Sequence, residues 1–186
     1  MIYIFTGNGK GKTTAALGQA IRAVGEGKRV LMVQFIKGPW KSGEDNVNIL
    51  VKESPSTSLG SPLFLLVKKG RGFVGIMGDT LPREEHENAA EEALEYARKE
   101  IELAPPAGGW DIVILDEINN AVALNLISKE KVLEFINFSK DKIEHLILTG
   151  RDAPQEFIDA ADLVTEMRDI KHPYDKGIKG KRGLEY

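Results

Sequence analysis

The sequence predicts an α/β protein in which helices cover both faces of a mostly parallel sheet. Three observations favour this fold class. Short apolar runs alternate with segments of helical periodicity along the chain. The first apolar run leads directly into a glycine-rich segment and then into a helical pattern. A later apolar run ends in two adjacent carboxylates, and open α/β sheets bind their ligands at the carboxyl ends of strands.

The glycine-rich loop is TGNGKGKTT, Thr6–Thr14, and the apolar run Met1–Phe5 before it is the first predicted strand. Alternating glycines let successive backbone N–H groups point into one concavity, to which the helix N-terminus and Lys12 add positive charge. The usual pattern has glycine where this chain has Thr6, so one position departs from it. The context still predicts a nucleoside triphosphate site in a P-loop (RecA-like) three-layer α/β/α fold. The expected contact residues are Thr6, Gly7, Asn8, Gly9, Lys10, Gly11, Lys12, Thr13 and Thr14.

The next two elements are a helix and a strand. The helix begins after the glycine-rich loop and is expected to end at Gly25 and Gly27. Its predicted apolar face consists of Ala15, Ala16, Leu17, Ala20, Ile21 and Val24. The continuous apolar run RVLMVQF, Arg29–Phe35, predicts a buried strand.

The pattern is weakest over residues 36–78, where the Ser/Pro-rich stretch Ser54–Pro62 precedes an apolar run, Leu63–Val67. A long amphipathic helix is predicted over Pro82–Leu103, with a core face of Ala90, Ala93, Leu94, Ala97 and Ile101. The remaining pattern predicts strands at Asp111–Leu115, His145–Thr149 and Leu163–Glu166 and helices near Lys129–Phe138 and Pro154–Ala161.

Length and composition exclude several classes of protein. With 186 residues and 42% hydrophobic content, we expect a single domain over residues 1–186. A net charge of -3 argues against a general nucleic-acid surface, and no apolar run approaches the roughly 20 residues that cross a bilayer. We therefore expect a cytoplasmic protein without nucleic-acid or membrane partners. The absence of cysteine and the three scattered histidines exclude thiolate chemistry and a zinc cluster, so any metal should be a hard cation on oxygen ligands.

The second chemical motif is DIVILDE, Asp111–Glu117, in which four apolar residues precede two carboxylates. A nucleotide-bound magnesium ion needs a hydroxyl from the glycine-rich loop and carboxylate support opposite it. Thr13, Asp116 and Glu117 form that set, with one carboxylate expected to hold the metal directly or through water. Alone, the motif would predict only a strand that ends in solvent. The glycine-rich loop makes metal binding the favoured interpretation.

The motifs together resemble the ATP:corrinoid adenosyltransferases over nearly the whole chain. The matching segments are TGNGKGKTTAALG (6–18), VQFIKG (33–38) with Gly43 and Glu44, VILDEINNA (113–121), LTGRDAP (148–154), ADLVTEM (161–167) and IKHPYDKGIKGKRGLEY (170–186). Generic P-loop ATPases share only the first of these segments and part of the third.

The resemblance implies that ATP, Mg²⁺ and a corrinoid bind here, and that the 5′-deoxyadenosyl group of ATP moves to cobalt in its Co(I) state with release of inorganic triphosphate. Co(I) is itself a strong nucleophile, which suits a chain without an evident nucleophilic side chain. Lys12, Thr13 and Glu117 are the expected catalytic residues, because the triphosphate must be stabilised as it leaves. The resemblance also implies a homodimer and an electron donor such as a flavoprotein.

Three more residues receive roles through the resemblance. Better-known members place a Gly-Phe-Thr-Trp segment beside the corrin, whereas this chain has GFVG at Gly72–Gly75, so Phe73 matches and the tryptophan does not. Phe73 is expected either beside the corrin or in the core. Arg151 and His172 lie in matching motifs and are expected on the nucleotide or corrin side. Trp40 lies in an irregular loop and could be at the surface.

Two other functions remain open. A P-loop ATPase or phosphotransferase needs the same loop, magnesium and carboxylates, and Glu117 would then position a water. A RecA-like nucleotide-switch module would need an arginine finger, for which Arg151 is a candidate, but the acidic composition disfavours a DNA partner. Within the transferase interpretation, cobalamin, cobinamide and cobyrinic acid diamide all remain possible substrates, because they share the corrin ring.

Overall fold

The structure, a computed structural model, describes residues 1–38, 40–47, 63–76, 78–103 and 109–184. Within these ranges six parallel strands form one sheet with the spatial order β3-β2-β4-β5-β1-β6. The strands are β1 (Ile2–Thr6), β2 (Val30–Gln34), β3 (Phe64–Lys68), β4 (Ile112–Asp116), β5 (His145–Thr149) and β6 (Leu163–Glu166).

Helices cover both faces of the sheet. In the described part of the chain they are α1 (Lys12–Gly25), α2 (Arg83–Glu102), α3 (Ile118–Ala123), α4 (Lys129–Ser139) and α5 (Gln155–Ala160). One face packs against α1, and the other packs against buried side chains of the remaining four helices. The prediction of a three-layer α/β/α fold is confirmed. None of these helices is long and apolar enough to cross a membrane.

Most predicted elements form close to their expected bounds, and the predicted core face of α2 is buried at all five positions. One residue was wrongly assigned: Ile21 is 57% exposed, because the buried side of α1 follows the one-turn spacing Ala16, Ala20, Val24. The short helix α3 was not predicted. The stretch Ser54–Pro62 lies outside the described residues.

The sheet places several loops at one edge. Because all paired strands are parallel, their carboxyl ends meet at the same side, and the loops after β1, β2, β4 and β5 converge there. The register aligns Gln34 with Asp116, and Leu115 with Leu148. Asp116 therefore lies between the ends of β2 and β5, which determines its hydrogen-bond partners.

Candidate active site

The glycine-rich loop joins β1 to α1 and packs against the chain that follows β6. Gly7 and Gly11 have left-handed φ angles of 93° and 114°. The Gly9 N–H donates to the Met167 carbonyl oxygen at 2.7 Å, and a Cβ on Gly9 would lie 2.6 Å from the carbonyl oxygen of Arg168. This differs from the expected loop, because one amide is paired within the protein. The glycine at position 9 is needed for close backbone approach.

Thr6 stands where the usual pattern has glycine, and here it is buried at the end of β1. Its Oγ1 accepts the Ala153 N–H at 3.3 Å, and its carbonyl oxygen accepts the Met167 N–H at 2.8 Å. A threonine at this position therefore connects the loop to the segments after β5 and β6. The remaining loop residues Asn8, Lys10 and Thr14 are exposed.

Lys12 is buried, and its ammonium donates to the carbonyl oxygens of Gly7 and Gly9, each at 2.8 Å. Burial lowers the pKa of Lys12, while the carboxylate of Glu117 acts in the opposite direction. The loop thus holds a cation over its own concavity. Phosphate oxygens could accept the same N–H groups.

Asp116 is completely buried and accepts three side-chain hydrogen bonds. Its Oδ1 accepts from Thr149 Oγ1 at 2.7 Å and from Thr13 Oγ1 at 2.8 Å, and its Oδ2 accepts from Gln34 Nε2 at 2.9 Å. Burial raises the pKa of Asp116, and the three donors oppose that effect. Because Thr13 gives its hydroxyl proton to Asp116, its oxygen lone pairs are left for another partner.

Glu117 follows Asp116 with a φ of 65°, a left-handed conformation that is uncommon outside glycine. Its backbone N–H donates to Thr149 Oγ1 at 2.9 Å, which ties this backbone to β5. Burial and the adjacent Asp116 charge raise the pKa of Glu117 to about 7, while the cations Lys12, Lys37 and Arg151 oppose the shift. A bound cation would stabilise the ionised carboxylate further.

Thr13, Asp116 and Glu117 supply oxygen atoms only, which is the chemistry that Mg²⁺ prefers. Across the described ranges no group of three or more His, Cys, Asp and Glu side chains could hold a metal alone. A cation at Thr13 and the two carboxylates would therefore need phosphate oxygens or water to complete its coordination. The residues fit a nucleotide-bound magnesium ion.

A second polar group, which the sequence did not predict, adjoins Asp116 through Gln34. Gln34 Nε2 also reaches Glu44 Oε1 at 3.4 Å, and Glu44 pairs with the ammonium of Lys37. Burial disfavours the Glu44 carboxylate, but hydrogen bonds led by that of Lys37 prevail and lower the pKa of Glu44 to about 2. The only signal for these residues was their place in the VQFIKG and Gly43-Glu44 matches.

Arg151 lies where the turn after β5 packs on α3. Its backbone N–H donates to Asn120 Oδ1 at 2.5 Å, and a Cβ on Gly150 would lie 2.6 Å from that oxygen. Gly150 has a φ of 130°, so this turn needs glycine for both reasons. The Arg151 charge acts on both Lys12 and Glu117, which puts it within electrostatic range of the site.

His172 lies beyond β6 in the segment that leads to a short 3₁₀ turn, Pro173–Lys176. Its Nδ1 accepts the Tyr174 N–H at 3.2 Å, and the residue is half-buried. This contact stabilises the local turn. The predicted nucleotide-side or corrin-side role of His172 stays a prediction.

Phe73 is not a core residue, because its side chain is 43% exposed. Its ring lies 5.6 Å from that of Trp40, and the Trp40 indole covers Gly72, where an added Cβ would come within 2.4 Å of the ring. The two rings, with Arg71, Ile76 and residues 78–81, line what we call the aromatic cleft, of about 160 Å³. The loops after β2 and β3 thus bring Phe73 to Trp40, a partner that the sequence did not predict.

Comparisons with known proteins find the same family of enzymes over the full given sequence. A model of the family described as ATP:corrinoid adenosyltransferase BtuR/CobO/CobP matches residues 1–186. The corrinoid adenosyltransferase of Escherichia coli (strain K12) is 37% identical over 190 residues, covering 100% of this chain and 85% of the relative. Corrinoid adenosyltransferase CobA of Salmonella typhimurium (strain LT2) gives the same figures, 37%, 100% and 85%. The Pseudomonas aeruginosa enzyme is 35% identical over 186 residues, with 100% and 83% covered. The chain therefore belongs to the ATP:corrinoid adenosyltransferase family.

Proposed function

We propose that this chain transfers the 5′-deoxyadenosyl group of ATP to the Co(I) centre of a corrinoid such as cobalamin, cobinamide or cobyrinic acid diamide. The observation that carries the proposal is the family match over residues 1–186, on a chain whose cation and carboxylates converge at one sheet edge. We take the whole chain as one P-loop adenosyltransferase domain.

The reaction needs no nucleophile from the protein. The Co(I) electron pair attacks C5′ of ATP, a Co–C bond forms, and the C5′–O bond breaks with its electrons leaving on the triphosphate. Cobalt is formally oxidised from Co(I) to Co(III), and inorganic triphosphate is the second product. The protein must hold C5′ in line with the attacking metal and stabilise the charge on the leaving oxygen.

We assign to Lys12 the role of stabilising the negative charge of the triphosphate, because its buried ammonium already lies in the loop, where it donates to the carbonyl oxygens of Gly7 and Gly9. Thr13 and Glu117 would hold Mg²⁺, with Asp116 orienting the Thr13 hydroxyl. When bound, the ion would neutralise phosphate charge. The exposed Arg151 would add positive charge on the same side.

The aromatic cleft is our candidate for the corrin side of the site. Phe73 and Trp40 expose apolar surface next to each other, and a corrin is a large ring system with apolar faces. Rings packed against the lower face of the corrin would favour loss of the lower cobalt ligand and hence easier reduction of Co(II). We further propose that the chain forms a homodimer and receives electrons from an external donor such as a flavoprotein, as the family resemblance implies.

The test is anaerobic incubation of the protein with ATP, Mg²⁺ and chemically reduced Co(I) cobalamin or cobinamide. We expect loss of the Co(I) absorbance, a light-sensitive adenosylcorrinoid and intact triphosphate. Steady release of ADP and phosphate without a corrinoid product would instead support an ATPase, and Glu117 would then be the candidate for positioning water.

A further inference from the structure

One wall of the aromatic cleft is a glycine-rich segment, residues 72–76 and 78–81. Gly72, Gly75 and Gly78 have φ angles of 113°, 67° and 84°, so the backbone uses left-handed conformations repeatedly. Glycine loses more conformational freedom than any other residue when it is ordered. A fixed shape for this wall therefore requires contacts that hold the segment.

Asp79 supplies such contacts from within the segment. Its Oδ2 accepts the Gly75 N–H at 2.8 Å, and its Oδ1 accepts the Leu81 N–H at 3.1 Å. These two backbone donors are the leading causes that lower the pKa of Asp79. The carboxylate thus closes the turn around itself, and Asp79 also lines the cleft.

His86 joins this turn to the body of the protein. It lies in the first part of α2, is 4% exposed, and places Nε2 3.1 Å from Asp79 Oδ2. The helix is itself anchored, because Ala90, Ala93 and Ala97 are buried in the same core cluster as strand residues of the sheet. A displacement of residues 72–76 and 78–81 would therefore break a partly buried hydrogen bond to a helix that packs on the core.

We propose that Asp79 and His86 form a latch that holds residues 72–76 and 78–81 and thereby presets the aromatic cleft for the corrinoid. This inference rests on the proposed function. Both are positioning residues, since neither is placed at the reacting atoms. Preordering the wall lowers the conformational entropy lost when a corrinoid binds, so the latch acts on corrinoid affinity more than on ATP.

The experiment compares His86→Leu, which removes the donor, with His86→Gln, whose side-chain amide N–H can replace that of Nε2. We measure steady-state KM for cobalamin and for ATP with Co(I) supplied chemically, and cob(II)alamin affinity by quenching of tryptophan fluorescence. For His86→Leu we expect KM for cobalamin and the cob(II)alamin Kd to rise about tenfold, with KM for ATP changed less than about twofold. His86→Gln should recover most of the loss. His145→Leu, at the opposite end of the sheet, is the matched control.

Asp79→Asn provides a second route, because Asp79 lies on a loop and its replacement leaves α2 intact. In the double variant the effects of Asp79→Asn and His86→Leu on cob(II)alamin affinity should be strongly non-additive, as for two ends of one contact. Additive effects, equal losses for both substrates, or unchanged cobalamin affinity in His86→Leu would each overturn the latch. If the unmodified protein itself forms no adenosylcorrinoid, the proposed function fails instead.

Discussion

Thr149 Oγ1 lies 2.7 Å from Asp116 Oδ1 and donates its proton to that carboxylate. The same oxygen accepts the Glu117 N–H at 2.9 Å. One hydroxyl on β5 therefore orients both Asp116, the last residue of β4, and Glu117, which follows it. Thr149 and Asp116 are both fully buried, where neither group has water as an alternative partner. The position of the Glu117 carboxyl group therefore depends on a strand other than its own.

Thr149→Val should weaken Mg²⁺-dependent ATP binding, because it keeps the shape of the side chain but leaves the Glu117 N–H without its acceptor. We expect about a tenfold rise in Kd for ATP in the presence of Mg²⁺ by calorimetry, and a stability loss of about 1–3 kcal/mol by urea unfolding. Thr149→Ser retains the hydroxyl and is the control. Equal Kd values for the valine variant and the unmodified protein would contradict this role.

Lys12→Ala should abolish most of the transferase activity, because it removes the positive charge that stabilises the leaving triphosphate. A decrease in kcat on the order of 10²–10³ is expected, as for other groups that stabilise developing negative charge. The measurement is the rate of Co(I) absorbance loss at saturating ATP. Lys28→Ala removes a partly exposed lysine that pairs with Glu144 away from the site, and this variant should react normally. Near-normal turnover of Lys12→Ala would show that the assignment is wrong.

Glu117→Gln should change the magnesium requirement more than corrinoid affinity, because an amide binds a hard cation less well than a carboxylate. We expect the Mg²⁺ concentration for half-maximal activity to rise about tenfold while KM for cobalamin stays within about twofold. A magnesium titration at fixed ATP and cobalamin measures the first quantity, and a cobalamin titration at saturating Mg²⁺ measures the second. Parallel losses in the two quantities would indicate a general structural role.

Glu44→Gln should reduce stability at neutral pH and have no effect in strong acid. The folded protein holds the pKa of Glu44 at about 2 against an ordinary value of 4.5, so its stabilising contribution is complete above pH 4.5 and lost as pH falls to about 2. Because Lys37 is partly exposed, we expect a loss of about 1–2 kcal/mol at pH 7. Urea unfolding between pH 7 and 3 tests this, with Glu91→Gln in an exposed pair as the control. A pH-independent difference would rule out the ionic explanation.

Gly9→Ala should destabilise the loop, because its new Cβ would lie 2.6 Å from the Arg168 carbonyl oxygen. A loss of about 1–3 kcal/mol in unfolding free energy is expected. Gly18 lies inside α1, where an added Cβ would have no neighbouring atom within 4 Å, so Gly18→Ala should gain about 0.5–1 kcal/mol from helix propensity. Thermal unfolding of both variants provides the comparison. If Gly9→Ala were as stable as Gly18→Ala, close approach would not explain that glycine.

Much of the candidate active site could be predicted from the sequence because it lies in two short motifs. Lys12 and Thr13 follow the alternating glycines, and Asp116 and Glu117 end an apolar run, so each pair is marked by its immediate neighbours. Because the pattern over residues 36–78 is weak, the sequence did not predict that Trp40 lies in the aromatic cleft. Its pairing with Phe73 depends on how two loops meet, and no local periodicity reports such a contact.

The sequence by itself determined the α/β class, the main strands and helices and the chemical identity of the loop and the carboxylates, because these follow from local apolar periodicity and short motifs. Only the tertiary structure decided which side chains meet. Thr13 reaches Asp116 across 103 residues, and Thr149 reaches the same carboxylate from a neighbouring strand. Such contacts depend on the order and register of parallel strands. The apolar pattern marks β1, β2, β4 and β5 as buried strands, but it does not determine which strand lies beside which.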